Sequence, residues 1–254
     1  MKKTFLTVII PCYNEEANLH RGVLKEVYDY LKGKSFKWEV LISDDGSSDK
    51  SREIIEEQVK KYAKFKLLAN PHGGKPAALN SGLKRAKGKY VLFIDMDQST
   101  PIRELDKLLP YTKKDYGAII GSRGLTRKDF PLYRKLGAVV FAGFRKALIL
   151  PEITDTQCGF KLFERQVVTH AFPMLEFFKV KEKITGWTVT SYDVELLYLV
   201  KKMGVKIKEV VVRWVDRDTS DSKGGGVSRY IKESRGMFAQ ILRVKMNQYR
   251  GLYD

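Results

Sequence analysis

The stretch KYVLFIDMDQSTP, residues 89–101, runs apolar from Tyr90 to Ile94 and then stops at two carboxylates two residues apart, Asp95 and Asp97. A short continuous apolar run bounded by polar residues reads as a strand buried on both faces. The pattern recurs upstream: Phe5–Ile10 precedes PCYNEE, Trp38–Ile42 precedes SDDGSSD, and Phe65–Ala69 precedes NPHGGKPAALN. Between these runs the spacing predicts helices. One spans Glu15–Leu31, with Leu19, Val23, Val27 and Tyr30 in step, and one runs to Tyr62 from candidate caps Ser47, Ser48 and Asp49. A third covers Pro76–Arg85, where an early proline suits a helix start, and a fourth begins at Pro101. Gly117–Ile120 reads as a fifth strand. Such alternation predicts an α/β fold with a mainly parallel sheet flanked by helices. Ligands of these sheets sit beyond the carboxyl ends of the strands, and here the polar, acidic and glycine-rich segments all follow strand ends.

The second half is less regular. Phe130–Leu150 and a last segment from Ser228 to Tyr249 read as basic amphipathic helices, Tyr192–Met203 as a helix, and Lys206–Val212 as a strand. Asp155–Phe163 reads as loop and strand, and Gly224–Gly226 as a flexible loop. No repeat or linker interrupts residues 1–254, which read as one domain. A composition of 43% hydrophobic and 30% charged residues excludes a disordered chain. The best apolar run, Leu136–Phe144, is far shorter than the roughly 18–20 residues that cross a bilayer. Too few residues precede the first strand for a signal peptide. Neither a transmembrane helix nor a leader is therefore expected. The net charge of +17 calls for an anionic partner: nucleic acid, a phosphorylated small molecule or an acidic membrane surface. Cys12 and Cys158 have no metal-ligand spacing, and His20, His72 and His170 are scattered, so reduced thiols are expected and a Cys–His pair is not.

Two carboxylates at a strand end can converge where the chain leaves extended geometry, and their hard oxygens suit Mg²⁺ or Mn²⁺ bridging a diphosphate. Asp44 and Asp45 end the second strand; adjacent acids there are costly without a donor, so nucleotide contact is expected. Tyr13 offers a ring for a base or ribose. Glu15 falls in the first turn of a helix, which favours an acid in any case. Gly73–Gly74–Lys75 puts a flexible backbone and one cation before a helix N-terminus, suited to a phosphate but without the spacing of a nucleotide-hydrolysing loop.

Taken together, VIIPCYNEE, SDDGSSD, GGKPAALNSGL, IDMDQSTP, GSR, DTQCGFKLF, SYDVELL and VDRDTSDSK resemble an inverting glycosyltransferase of the GT-A fold, a Rossmann-like architecture. The nearest group is the polyprenyl-phosphate (dolichyl-phosphate) sugar synthases, and DTQCGFKLF is more similar to the glucosyltransferase branch than to the mannose branch. The resemblance implies a donor such as UDP-glucose or GDP-mannose, a lipid monophosphate acceptor, a nucleotide-binding half over 1–122 and an acceptor-binding half over 123–254. It implies donor-nucleotide contacts from Pro11, Tyr13, Glu15, Asp44, Asp45, Lys75 and the Asp95-Met96-Asp97 segment. Asp95 and Asp97 would be the metal ligands, Asp97 the more direct. Arg123, Arg134, Arg217 and Lys223 match basic positions that hold phosphates; Asp97, Arg123 and Arg217 are the expected catalytic set. Asp155, Asp193 and Glu195 are candidates for orienting sugar hydroxyls. The chain departs from the mannose synthases at Ser99, where a glutamine is usual and here stands at Gln98, and at Ala138, where a serine is usual.

The second ionisation of a phosphate monoester lies near pH 6, so such an acceptor needs no strong base. It needs cations that bring one anion to another. A basic helix with an apolar stripe of Ile231, Met237, Phe238, Ile241, Leu242 and Met246 can lie in a membrane interface. The expected location is the cytoplasm, peripheral on the cytoplasmic face of a membrane. A same-fold enzyme acting on a soluble sugar or polysaccharide would need a carboxylate base beside the acceptor. A nucleic-acid-binding protein is disfavoured because acids crowd the strand ends.

Overall fold

The computed structural model describes residues 3–124, 143–144, 146, 148–179, 192–217 and 227–253, with 227–235 and 237 described by backbone alone. Strand β1 (Leu6–Cys12) is buried at every position. Its residues Leu6, Val8, Ile10 and Cys12 enter one apolar cluster and Ile9 the other, as the two-residue period of a strand dictates. β2 (Trp38–Asp44) and β4 (Tyr90–Phe93) divide their side chains in the same way. β1 pairs in parallel with β2 and β4, and β2 with β3 (Phe65–Ala69).

The sheet has seven strands in the order β3-β2-β1-β4-β6-β5-β7. β5 (Ala118–Ser122) runs parallel to β7 (Ile207–Val211), while β6 (Lys161–Glu164) is antiparallel to both β4 and β5. The mainly parallel sheet expected from the sequence is present, with one reversed strand. That reversal matters: the chain enters β6 at the edge where β4 and β5 leave the sheet, since Phe93 and Ile120 both lie opposite Lys161. The segment before β6 therefore reaches the same edge as the segments after the other strands.

The helices depart from their expected boundaries in instructive ways. The helix expected over Glu15–Leu31 is two, α1 (Glu16–His20) and α2 (Val23–Lys32), because Gly22 takes a left-handed φ of 84° between them. α3 (Ser51–Val59) starts after the expected caps, and α4 (Lys75–Arg85) holds Pro76 in its first turn as expected. After Pro101 the chain makes a 3₁₀ turn (Ile102–Glu104), the short α5 (Leu105–Leu108) and a second 3₁₀ turn (Leu109–Lys113) rather than one helix. α6 (Arg165–Ala171), α7 (Tyr192–Lys202) and α8 (Val227–Tyr249) follow in the second half. Most of the expected helix over 130–150 and the loop at 224–226 lie outside the described residues. Both cysteines are free and buried.

α4 carries the glycine-rich loop, and its seat on the sheet depends on Gly82. A Cβ there would come 2.6 Å from Ile9 Cγ2, a β-branched side chain locked in the core. Gly82→Ala is expected to cost about 1–3 kcal/mol in urea unfolding, the range of an overpacked core.

Candidate active site

Three loops meet at the carboxyl edge of β1 and β2 and supply one another's missing backbone partners. Asn14 sits at φ 54°, and its backbone N–H donates to Ser47 Oγ at 3.0 Å while Glu15 N–H donates to Ser51 Oγ at 2.8 Å. Asp49 Oδ2 accepts from Glu16 N–H at 3.1 Å. The expected caps thus serve the start of α1, across the loops, although Asp49 Oδ1 also accepts Ser51 N–H at 2.9 Å. Pro11 lies within β1, and Glu15 Oε2 accepts from Asn18 Nδ2 at 2.5 Å.

Asp44 and Asp45 are fully buried, and both have donors. Arg52 reaches Asp44 Oδ2 with Nε at 2.9 Å and Nη2 at 2.6 Å. Asp45 receives the backbone N–H groups of Gly73 at 3.0 Å and Gly74 at 2.8 Å, and His72 Nδ1 lies 2.9 Å from its Oδ2. The premise that these acids lack protein donors does not hold: their burial is balanced internally, and they shape the loops. His72, which the sequence reading left as a scattered histidine, stacks on Tyr13 with ring centroids 4.5 Å apart. The proximity of His72 to GGK in the sequence was the available signal.

At the end of β4, Lys75 Nζ meets Asp95 Oδ1 at 2.5 Å. Burial alone would raise the Asp95 carboxyl; the Lys75 ammonium, with Lys161 and Arg123 further off, outweighs it and holds the group below the usual carboxylate range. Burial works against the Lys75 charge too, and Asp95, Asp193 and Asp97 more than restore it. Gly159 passes so close to this carboxylate that a Cβ would lie 1.9 Å from Asp95 Oδ2. Met96 is buried, and Asp97 Oδ1 accepts Ser99 N–H at 2.8 Å. Gln98 at φ 52° caps the next turn, accepting Ile102 N–H at 3.1 Å and donating to the Asp95 carbonyl at 3.0 Å.

Arg123 follows β5 and forms a two-pronged pair with Asp155, Nε to Oδ2 at 2.7 Å and Nη2 to Oδ1 at 2.8 Å. Asp155 also accepts the backbone N–H groups of Arg123 and Gln157, each at 3.0 Å. Burial pushes this carboxyl up, but those donors and the Arg123 charge take it well below the ordinary range. With each oxygen accepting twice, Asp155 holds Arg123 in place and does not fit the expected sugar-orienting role. Asp193 pairs with Lys161 Nζ at 2.6 Å. Glu195 lies two residues along α7, on a different face; it accepts from Tyr253 Oη and Glu176 N–H, both at 2.8 Å, and binds the C-terminal turn rather than the site. Arg217 directs its guanidinium toward Glu26 of α2 at 3.5 Å. Arg134 and Lys223 lie outside the described residues.

A cavity of about 190 Å³ opens among these groups, lined by Asp95, Asp97, Arg123, Gln157, Trp214 and Asp216, with Ser99, Cys158 and Gly159 between them. Arg21, absent from the sequence expectations, ties its walls together: Nη2 donates to the Asp97 carbonyl and Nη1 to the Arg217 carbonyl. The segment after β7 is further docked by Val215 N–H on the Ser99 carbonyl at 2.9 Å. Gln157, Trp214 and Asp216 were also missed, though each lies inside or beside a motif read from the sequence.

The family model for glycosyl transferase family 2 matches residues 7–172, and the chain belongs to that family. It is 33% identical to a dolichyl-phosphate beta-glucosyltransferase of Dictyostelium discoideum, over 98% of this chain and 76% of the relative. Among solved structures, a glucosyl-3-phosphoglycerate synthase from Mycobacterium tuberculosis in complex with Mn²⁺, UDP and glucosyl-3-phosphoglycerate aligns with a TM-score of 0.64 at 17% identity, over 96% of this chain and 80% of that one. The mannosyltransferase PcManGT from Pyrobaculum calidifontis, in complex with GDP-Man and Mn²⁺, aligns at 0.62 and 20% identity; the chain covers 96% of itself and 65% of that protein. The expected GT-A fold is the one present, and the chain is a glycosyltransferase.

The Arg123–Asp155 pair sets an acid limit on stability. A carboxyl depressed on folding contributes stability that is complete above its unfolded value, near 4, and lost as pH falls through the folded one. Asp155→Asn is expected to destabilise by about 3–5 kcal/mol at neutral pH. Its loss of stability on acidification below about pH 4 should be shallower than that of the unaltered protein, as chemical denaturation at stepped pH would read.

Proposed function

We propose that the chain transfers a hexose, glucose ahead of mannose, from a sugar nucleotide to a polyprenyl or dolichyl monophosphate with inversion at the anomeric carbon. The observation that carries this is one cavity lined by Asp95, Asp97 and the half-buried Arg123, in a chain similar along nearly its whole length to a dolichyl-phosphate beta-glucosyltransferase. In this reading residues 1–122 bind the nucleotide and 123–254 the acceptor. The Tyr13–His72 stack gives the base or ribose a flat neighbour. Pro11, Glu15, Asp44, Asp45 and Met96 act by fixing the loops around it. Lys75 is placed to face the donor phosphates beside Asp95.

Asp95 and Asp97 offer hard oxygens at one cavity, a donor set that fits Mg²⁺ or Mn²⁺. They would hold the ion, whose chemistry when bound is to neutralise charge on a departing diphosphate. Among the described residues no group of three or more His, Cys, Asp or Glu side chains could hold a metal unaided; the diphosphate itself would complete the coordination. Arg123, fixed by Asp155, is positioned to draw the acceptor phosphate toward that diphosphate. The acceptor oxygen is already ionised. A hydroxyl acceptor would need a base, and the depressed Asp155 carboxyl is a poor one.

α8 supports attachment to an anionic membrane surface. Its expected apolar stripe is split: Ile241 is buried, while Leu242 and Met246 are 49% and 48% exposed, beside Arg243 and Lys245. No described helix is long and apolar enough to cross a membrane, so a face of this kind would lie in the interface.

Two experiments test the proposal. With Mn²⁺ or Mg²⁺, UDP-glucose and polyprenyl phosphate, glucosyl lipid should form, and Asp97→Asn should lower the rate about 100-fold or more; transfer unimpaired by that change overturns the metal reading. The protein should float with anionic liposomes at low salt, and the double change Leu242→Glu, Met246→Glu should reduce the bound fraction at least tenfold, given about 1.5–3 kcal/mol for each large apolar side chain removed from the interface.

A further inference from the structure

Gln157 is the cavity residue with the least explained side chain. Its backbone N–H is fixed by Asp155 Oδ1 at 3.0 Å, so the loop before β6 holds the residue in one place. The residue lines the same cavity as the two acids of residues 95 and 97. Yet its amide nitrogen Nε2 is buried and has no hydrogen-bond partner among the described residues. Buried donors in native proteins are nearly always paired, because an unpaired one forfeits its hydration without return. Gln157 itself lines the cavity, so a turn of its side chain about χ3 brings that unpaired donor to a group that enters.

What enters can be narrowed by size and neighbours. About 190 Å³ is well below the roughly 300–1,000 Å³ of pockets that enclose whole ligands. The space suits a single sugar ring better than an entire sugar nucleotide. The Trp214 ring also lines it, and flat aromatic faces pack against the C–H faces of sugars. Asp95 and Asp97 line it too, so a sugar joined to a diphosphate held by them would fall into it.

We infer that Gln157 Nε2 donates a hydrogen bond to a hydroxyl of the transferred hexose, making Gln157 a residue that determines which sugar is accepted. The inference rests on the glycosyl transfer proposed above. A site built to bond a hydroxyl rejects sugars that lack it or turn it away, because the buried donor is then left unpaired again.

Gln157→Met keeps the volume and removes the donor; Gln157→Ala serves if the first variant misfolds. Binding of UDP and of UDP-glucose would be measured by calorimetry with Mn²⁺ present, with a series of UDP-deoxyglucose analogues alongside. UDP affinity should change less than twofold, while UDP-glucose affinity should fall about five- to tenfold. One analogue should bind the unaltered protein more weakly than UDP-glucose but bind Gln157→Met equally well. The ligand-free variant should unfold at the same temperature or higher, since an unpaired buried donor is gone; a residue needed only for structure would lower it. Equal UDP-glucose binding by variant and parent, or deoxy penalties that all persist in the variant, would overturn the assignment to Gln157. Failure of the unaltered protein to bind any sugar nucleotide would overturn the glycosyl-transfer reading along with it.

Discussion

The site depends on acids at one edge of the sheet each being met by a donor from elsewhere in the chain. Lys75 of α4 holds Asp95 at the end of β4, Lys161 of β6 holds Asp193 of α7, Arg123 after β5 holds Asp155, and Arg52 of α3 holds Asp44. Every pair joins two different elements, so the charges fix the loops as well as balancing one another. Leaving Asp44, Asp155 or Asp193, which are buried, without its partner would cost several kcal/mol, a large fraction of a typical domain's stability. The apolar clusters on the two faces of the sheet keep the strands in register beneath this layer. The edge would otherwise be a row of mutually repelling acids.

This pairing also gives the cavity a definite electrical character. Asp95 is held ionised by the Lys75 charge, and Asp155 is held ionised by Arg123. A carboxylate stabilised in that way is well suited to ligating a cation or anchoring a guanidinium and poorly suited to removing a proton near neutral pH. The same pairs keep Lys75 and Arg123 positively charged and oriented. A site with fixed anions and fixed cations in direct contact is arranged for bringing charged groups together, which is what two phosphates require.

Much of this could be read from the sequence. The apolar runs ending in polar, acidic or glycine-rich segments gave β1, β2, β3 and β4 within a few residues, and the rule that ligands gather beyond strand ends identified the right edge. Two things resisted that reading. The rule looks after strands, so the loop before β6 entered only through the family resemblance of DTQCGFKLF; Asp155, Gln157 and Gly159 reach the site because that strand runs backwards. Sequence inspection also sees acids and bases but not their pairing. Asp44 and Asp45 looked unbalanced although Arg52 and the Gly73–Gly74 amides complete them. Asp193 and Glu195 were given one expected role, although helical geometry turns the first acid to Lys161 and the second to Tyr253.

Arg21 shows how far a structural role can lie from any motif. It follows α1, where the left-handed Gly22 ends the first helical piece, and its guanidinium reaches two backbone carbonyls 76 and 196 positions away, those of Asp97 and Arg217. Neither carbonyl can be recognised from residue type, because every residue has one. The bond to Asp97 fixes the turn that carries the second acid, and the bond to Arg217 fixes the strand exit that carries Trp214 and Asp216 to the cavity. A guanidinium suits this because its planar fork can serve two acceptors at once, which an ammonium on a flexible stem does less well. The break in the helix is thus connected to the site: an uninterrupted helix over Glu15–Leu31 would carry residue 21 on a different path, and the two walls of the cavity would lose their shared brace.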